Sequence, residues 1–290
     1  MNSEIKKVIF KPKHAMEIEV LELAYVTKRY LDEVLRPHRT NFHQIFLLKQ
    51  GNPTHTVDFK SVPLHGESLF FINKSCVHSF DKSGDYEGLA LIFTDDFFCK
   101  TDADRYFLRN AQLFNNPNLF STISLDREFS FFYDNILRIK DELKMPTDSF
   151  QFEILHNTLH NILLRAERLA IQQNTQDIKK GADYEYTSLF RDLVENQYTK
   201  KKSVGEYASQ LFISEKRLGQ ATTKILGMNP KEFINERIML EAKRLLVHSN
   251  RSIKEIGIEL GFDDPAYFFR YFRKYSESTP IEFREKYLNT

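Results

Sequence analysis

The spacing of apolar residues changes character along the chain, and each change predicts a different kind of element. Between about Ile5 and Asp95 the apolar and β-branched residues come in short clusters. These are Ile18–Val26, Gln44–Leu48, His55–Phe59, Leu69–Ile72 and Gly88–Phe93, split by Gly, Pro, Asn and Asp. Short runs at that interval predict strands of a sandwich or barrel. From Thr101 the period becomes helical: Phe129, Phe132, Ile136 and Ile139 share one face, and Met145-Pro146 breaks the run. A second helix from Ser149 to about Gln172 carries Phe152, Leu155, Leu159, Ile162, Leu163 and Ala166. This helix pair either packs only within the chain or also meets a second copy. Residues 174–183 (NTQDIKKGAD) are polar and aperiodic and predict a linker between a domain at 1–173 and one at 184–290.

The last third is the most explicit. Ser252 followed by Glu255 is a capping box, so a helix starts there with Ile253, Ile256 and Leu260 on its apolar face. Gly261 stops it, Phe262 turns inward, and Asp264-Pro265 opens a second helix. In that helix Phe268 and Phe272 face in, while Ala266, Phe269, Arg270 and Arg273 face out. Helix, glycine turn and helix with a basic outer face is a helix-turn-helix. Thr279-Pro280 leads into one more short helix, Ile281 to Tyr287.

The same unit occurs earlier. Ser203 and Glu206 repeat the box, and aligning Ser203 with Ser252 brings Leu211 onto Leu260 and Ile213 onto Phe262. One extra residue in the second turn then brings Leu218 onto Phe268 and Gln220 onto Arg270. Ala208 and Gly257 occupy equivalent places where two helices cross closely. Between the units, Pro230 to Val247 reads as one helix of roughly 27 Å, a spacer that sets two recognition helices in successive major-groove segments about 34 Å apart.

Composition adds limits. The 290 residues suffice for two domains, each with its own core. The net charge of +1 conceals an asymmetry: from Tyr184 onward there are 18 Lys and Arg against 15 Asp and Glu, and the small basic excess lies with the helix-turn-helix units. Cys76 and Cys99 form neither a disulfide framework nor a zinc signature, and read as thiols in a reducing compartment. No run is long and apolar enough to span a bilayer, and the N-terminus lacks a signal-peptide core, so the expected location is the cytoplasm with no membrane partner.

The segment from Glu255-Ile256 through Leu260-Gly261-Phe262-Asp263-Asp264-Pro265, Tyr267-Phe268, Arg270, Phe272-Arg273-Lys274 and Thr279-Pro280 to Phe283-Arg284 resembles the signature of the AraC/XylS family of bacterial transcription regulators. Gly257 stands where that family usually has alanine, and Glu277 where it usually has glycine. The resemblance implies a double-stranded DNA operator as partner, with RNA polymerase as a further candidate. It places base contacts at Lys216, Gly219 and Gln220 in the first unit, and at Pro265, Ala266, Phe269 and Arg270 in the second. Thr223 faces out beside the first set. Gln pairs with adenine, and Lys or Arg reaches guanine. Phe269 packs either on a thymine methyl or over the core. Lys200, Lys201, Lys202, Lys224, Arg273 and Lys274 are phosphate candidates, which set affinity without reading sequence.

Leu35 to Phe98, with the stretch Arg36 to Ile45, Gly51, Leu69 to Ile72 and Val77-His78, resembles the cupin-type sensor domain found in many such regulators. That resemblance implies a metal held by His-x-His, Glu and a distant His. Here His38 and His78 hold the outer places, but Thr40 and Gln44 replace the middle ligands, leaving two imidazoles. The expectation is therefore no metal, no cofactor and no enzymatic activity. In their place a small-molecule effector site is expected at the barrel mouth, from His38, Arg39, Thr40, Gln44 and His78. The expected architecture is α+β: a cupin-like β-barrel followed by helices, then an all-α domain with two helix-turn-helix units. The function it implies is a DNA-binding, effector-responsive regulator acting as a homodimer. The alternatives are a cupin enzyme fused to a DNA-binding domain, or a regulator whose barrel only dimerises or binds a protein.

Overall fold

The computed structural model describes residues 6–9, 16–74, 76–82, 85–115, 122–173, 181–276 and 278–288. Its contacts divide the chain into two compact units with the boundary between Gln176 and Asp177.

In the N-terminal unit β1 (Lys6–Val8) and β2 (Ile18–Glu22) precede the short helices α1 (Leu23–Arg29) and α2 (Leu31–Val34). Then come β3 (His38–Thr40), β4 (His43–Gln50), β5 (Thr54–Val57), β6 (Lys60–Pro63), β7 (Ser68–Ile72), β8 (Val77–Ser79) and β9 (Glu87–Phe93). Helices α3 (Asp95–Phe98), α4 (Asp102–Asn110) and α5 (Gln112–Asn115), strand β10 (Thr122–Ser124) and helices α6 (Phe129–Glu142) and α7 (Gln151–Gln173) complete it. The strands form two five-stranded sheets, ordered β1-β3-β8-β5-β6 and β10-β7-β4-β9-β2. Among the described residues all pairings are antiparallel except β1 with β3.

Burial follows from the layering. Strand β4 is buried on both faces from His43 to Leu48, which is why Ile45 to Leu48 read as an unbroken apolar run. Phe46 and Leu48 join Val57, Val62, Phe70, Phe80 and Tyr86 in the core that both sheets share. Ile45 and Leu47 point the other way, into a larger core with Phe132, Ile136, Leu155, Leu159 and Leu163 from α6 and α7. The run Ile18–Val26, expected as one strand, is strand only to Glu22. Leu23 to Arg29 are helical, with Leu23 and Thr27 buried and Lys28 and Arg29 at the C-terminal end, where cations suit the helix dipole.

Among its described residues the C-terminal unit is all helix: α8 (Ala182–Gln197), α9 (Val204–Gln210), α10 (Glu215–Leu226), α11 (Pro230–His248), α12 (Ile253–Glu259), α13 (Pro265–Ser276) and α14 (Pro280–Leu288). Ser203 and Ser252 both make full capping boxes, with Glu206 and Glu255. Ser214 caps α10, and Asp264 accepts from the Ala266 N–H at the start of α13. Those two caps fall 11 and 12 residues after their boxes, which is the extra residue in the second turn. The repeat extends to the backbone: the Ile213 N–H donates to the Ala208 carbonyl as the Phe262 N–H donates to that of Gly257.

The turns differ where it matters. Gly261 has φ +74, and a Cβ there would lie 1.7 Å from the Thr199 carbonyl oxygen, so only glycine fits. Lys202 reaches across, donating to the carbonyls of Gly261 (2.6 Å) and Thr199 (3.0 Å) and lying over the Phe262 ring. Lys202, a phosphate candidate in the sequence, thus clamps this turn. The counterpart of Gly261 in the first unit is Phe212, with φ +55 and 95% exposed, a conformation costing a non-glycine residue roughly 1–2 kcal/mol.

Helix α11 runs 19 residues, about 28 Å, and closes one core with α8, α9, α10, α12 and α13. Tyr271, unremarked by periodicity, is buried and donates to Asn235 at 2.8 Å. Residues 174–180 of the expected linker lie outside the described residues, as does Glu277. Ala182 and Asp183, assigned to that linker, belong instead to the first turn of α8.

Candidate functional site

The two recognition helices present the side chains their spacing demands. On α10, Leu218, Ala221 and Thr222 are buried against the core while Lys216, Gln220 and Thr223 stand in solvent. Gly219 is half-buried with open space beyond its Cα, so it offers backbone only. On α13, Phe268 and Phe272 are fully buried. Ala266, Arg270, Arg273 and Lys274 are exposed, and Pro265 and Phe269 are half-buried. Arg270 reaches Asp264 only at 3.9 Å with both side chains largely exposed, a pairing of little strength that leaves the guanidinium available.

Lys224, a phosphate candidate, is paired within the chain. Its ammonium bonds the Asp183 carboxylate at 2.5 Å, and the Arg217 guanidinium bonds the other oxygen of that carboxylate at 2.5 Å. Arg217 also lies over the Tyr186 ring, 5.0 Å from its centroid. Lys224, and then Arg217, hold the Asp183 carboxyl below the usual carboxylate range. Neither Asp183 nor Arg217 stood out in the sequence, because they meet only once α8 lies along α10.

Further in, Arg237 on α11 makes a two-pronged bond to Glu195 on α8 at 2.6 and 2.9 Å and a third contact to Glu241 at 3.2 Å. With Arg244 on the same Glu241, this network fixes the angle between α8 and α11.

In the N-terminal unit four of the five expected effector residues converge, but in the core and not at an open mouth. His38, Thr40, Gln44 and His78 are all buried, and so are His55 and Tyr86. The bonds between them fix one direction of donation. The Gln44 amide donates to Thr40 Oγ1 (3.3 Å) and to His78 Nε2 (2.8 Å), and Thr40 passes its own proton to the Phe42 carbonyl. With Nε2 accepting, His78 donates from Nδ1 to His55 Nε2 (3.1 Å). His55 then donates from Nδ1 to the Tyr86 hydroxyl (3.2 Å), which donates to the Thr54 carbonyl. His38 donates from Nδ1 to the Arg36 carbonyl, and its ring lies 4.2 Å from that of His78.

The chain is neutral throughout. Burial, then the neighbouring His38, brings His55 down to about 3 and His78 well below the ordinary imidazole value. Burial likewise pushes the Tyr86 phenol up. The metal-ligand pattern His38, Thr40, Gln44 and His78 passes over His55. The signal that could have found it is alternation, since it shares a strand face with buried Val57.

Arg39 does not join the cluster. It sits between His38 and Thr40 on β3, and the two-residue period of the strand turns it to the other face. His43 likewise faces away from Gln44, bonding Asp95 at 2.8 Å beside Phe93 and Phe114. His78 Nε2, which a metal would need, is occupied by Gln44. Among the described residues no group of three or more His, Cys, Asp or Glu is placed to hold a metal ion. No disulfide joins Cys76 and Cys99, and burial pushes the Cys99 thiol up to about 11, so it stays protonated. No helix among the described residues is long and apolar enough to cross a membrane.

One further surface stands out. Along α7 and the residue before it, Phe150, Ile154, Asn157, Asn161, Leu164, Arg168 and Ile171 are all exposed, at alternating spacings of four and three. The opposite face of the same helix is fully buried.

Two family models match: an AraC-like ligand binding domain over residues 20–114 and a helix-turn-helix domain over residues 207–286. The HTH-type transcriptional activator RhaS of Klebsiella pneumoniae is 23% identical over 254 residues, covering 86% of this chain and 87% of the relative. The lactose operon transcription activator of Staphylococcus xylosus is 30% identical over 96 residues, 33% of this chain and 34% of its own. Among solved structures, ToxT from Vibrio cholerae aligns over 84% of this chain and 90% of its own at 17% identity, with a TM-score of 0.43. The C-terminal domain of the response regulator yesN from Fusobacterium nucleatum aligns over 34% of this chain and 98% of its own at 27% identity, with a TM-score of 0.33. The matched segments coincide with the double-sheet unit and the paired helical units just described, and the chain belongs to the AraC family of transcription regulators, with an N-terminal ligand-binding domain and a C-terminal DNA-binding helix-turn-helix domain.

Proposed function

We propose that this regulator reads two successive major-groove segments as a homodimer in the cytoplasm, without enzymatic activity, and answers to an uncharged, hydroxyl-rich effector. The observation that carries the DNA reading is the doubled unit itself. Two capped recognition helices present Lys216, Gln220 and Thr223 on one and Ala266, Phe269 and Arg270 on the other, joined through one rigid helix. Arg270 supplies guanine readout, and Arg273, Lys274, Lys200 and Lys201 supply phosphate contacts. Arg270→Ala is expected to lose about 1–3 kcal/mol of discrimination between a selected operator and its guanine-substituted variant. Lys201→Ala should weaken both duplexes alike. Competition titrations showing the reverse pattern would remove the assignment.

The effector reading rests on the closed chain Thr40, Gln44, His78, His55 and Tyr86, with His38 beside it. Buried neutral donors and acceptors that satisfy one another can be re-paired by hydroxyl groups at little electrostatic cost, whereas a charged ligand would be desolvated. The closure also favours a second reading, in which this unit only dimerises or binds a protein. Ligand-induced thermal shifts across a panel of small metabolites separate the two.

The homodimer rests on the exposed stripe of α7, whose four-three spacing is that of a coiled-coil seam, with asparagines of the kind that set register. Leu164→Glu combined with Ile154→Glu is expected to turn a dimer into a monomer in analytical ultracentrifugation without loss of helicity. A dimer that survives both changes would place the interface elsewhere. RNA polymerase follows as a partner through regulator activity.

A further inference from the structure

We propose that Asp183 is an electrostatic brake on DNA binding, holding in check two cations that would otherwise grip phosphates. The inference rests on the reading that α10 enters the groove. With roughly 100° of turn per residue, Lys216, Gln220 and Thr223 define the outward arc of α10. Arg217 and Lys224 lie together on its flank, roughly 70–90° from the middle of that arc. A helix seated in the major groove turns its flanks toward the phosphate ridges, so this pair is placed for backbone contact. Instead, both cations are held by the one carboxylate, Asp183, at 2.5 Å each, and Tyr186 covers the Arg217 guanidinium from the next turn of α8.

The position of the carboxylate gives the contact its meaning. Asp183 is in the first turn of α8, ten residues after Gln173 ends α7. The chain coming from the ligand-binding unit therefore enters the DNA-binding unit at the residue that neutralises its recognition helix. A shift of that first turn would expose two positive charges without rearranging the core. The deeper Arg237–Glu195–Glu241 network holds the body of α8 in place independently.

The test uses the full chain and a duplex it recovers from a random-sequence pool, with binding followed across a salt series. Asp183→Asn is expected to bind about tenfold more tightly at low salt, with the log–log salt slope steeper by about 1–2, the signature of one or two added phosphate contacts. Adding Lys224→Gln to that variant should return the slope toward the parent value. In the parent background, Arg217→Gln with Lys224→Gln should leave the slope unchanged, because the braked cations make no phosphate contact. An unchanged slope or weaker binding in Asp183→Asn overturns the proposal. So does a shallower slope in the parent-background double variant, which also decides the matter should Asp183→Asn fail to fold. If Lys216→Ala and Gln220→Ala weaken binding while the Asp183→Asn slope stays put, the brake alone falls. If those two have no effect, the seating of α10 in the groove falls with it.

Discussion

Taking the protein from pH 7 to pH 5 is expected to cost the N-terminal unit about 2 kcal/mol of stability through His55 alone. In the folded chain the imidazole is fully buried and titrates at about 3, whereas in the unfolded chain it titrates near the ordinary 6.5. Between those two values the unfolded state binds a proton that the folded state refuses. Stability therefore rises with pH across the window, is complete above about 6.5, and falls by about 1.4 kcal/mol for each unit below it. His78 and His43 are shifted down by burial as well and act with the same sign. Hydrogen exchange of the β4 amides, followed from pH 7.5 to pH 5 after correction for intrinsic rates, reads this directly. His55→Phe should flatten the dependence by one proton's worth. A stability that does not change over the range would mean the buried chain is not neutral as assigned.

The second large effect concerns the crossing of α9 and α10. Ala208→Leu is expected to abolish cooperative folding of the first helix-turn-helix unit. Ala208 is buried, and its carbonyl already receives the Ile213 N–H that closes the turn, so α9 cannot back away from α10 without breaking it. Overpacking by even one or two methylenes in a well-packed core typically costs about 1–3 kcal/mol, and leucine adds three carbons at a helix crossing. The equivalent site shows how little room there is: a Cβ on Gly257 would meet the Phe268 side chain at 3.2 Å. Gly257→Ala should therefore be close to neutral, the gain in helix propensity offsetting a small shift of that ring. Circular dichroism and DNA binding of the two variants check both statements, and a folded, binding Ala208→Leu protein would refute the packing argument.

What could be foreseen from the residues was whatever is decided locally. Capping boxes, the glycine turn, Pro265 at a helix start and the buried faces of α10, α12 and α13 each depend on residues within a turn or two of one another. What escaped is decided at a distance. The polar chain joins residues from β3, β4, β5 and β8 to Tyr86 just before β9, so periodicity along any one strand could rank His38 and His78 but not see His55 between His78 and Tyr86. Asp183 looked like linker because its partners are 34 and 41 residues further on. The helix in Leu23–Arg29 was hidden for another reason: its leucine, valine and tyrosine suit either element, and only the buried Leu23 and Thr27 separate the two.

The close fit of Gly261 under the Thr199 carbonyl, with Lys202 bound to both, carries a lesson about ancestry and engineering alike. The later helix-turn-helix leans on residues that precede the earlier one, so the duplicated halves have ceased to be interchangeable parts. A fragment beginning after position 202 would keep every residue of the family motif and still lack the wall against which its second turn is built. Chimaeras that exchange one half to rewrite operator choice must bring the Thr199–Lys202 segment along with the downstream unit it supports.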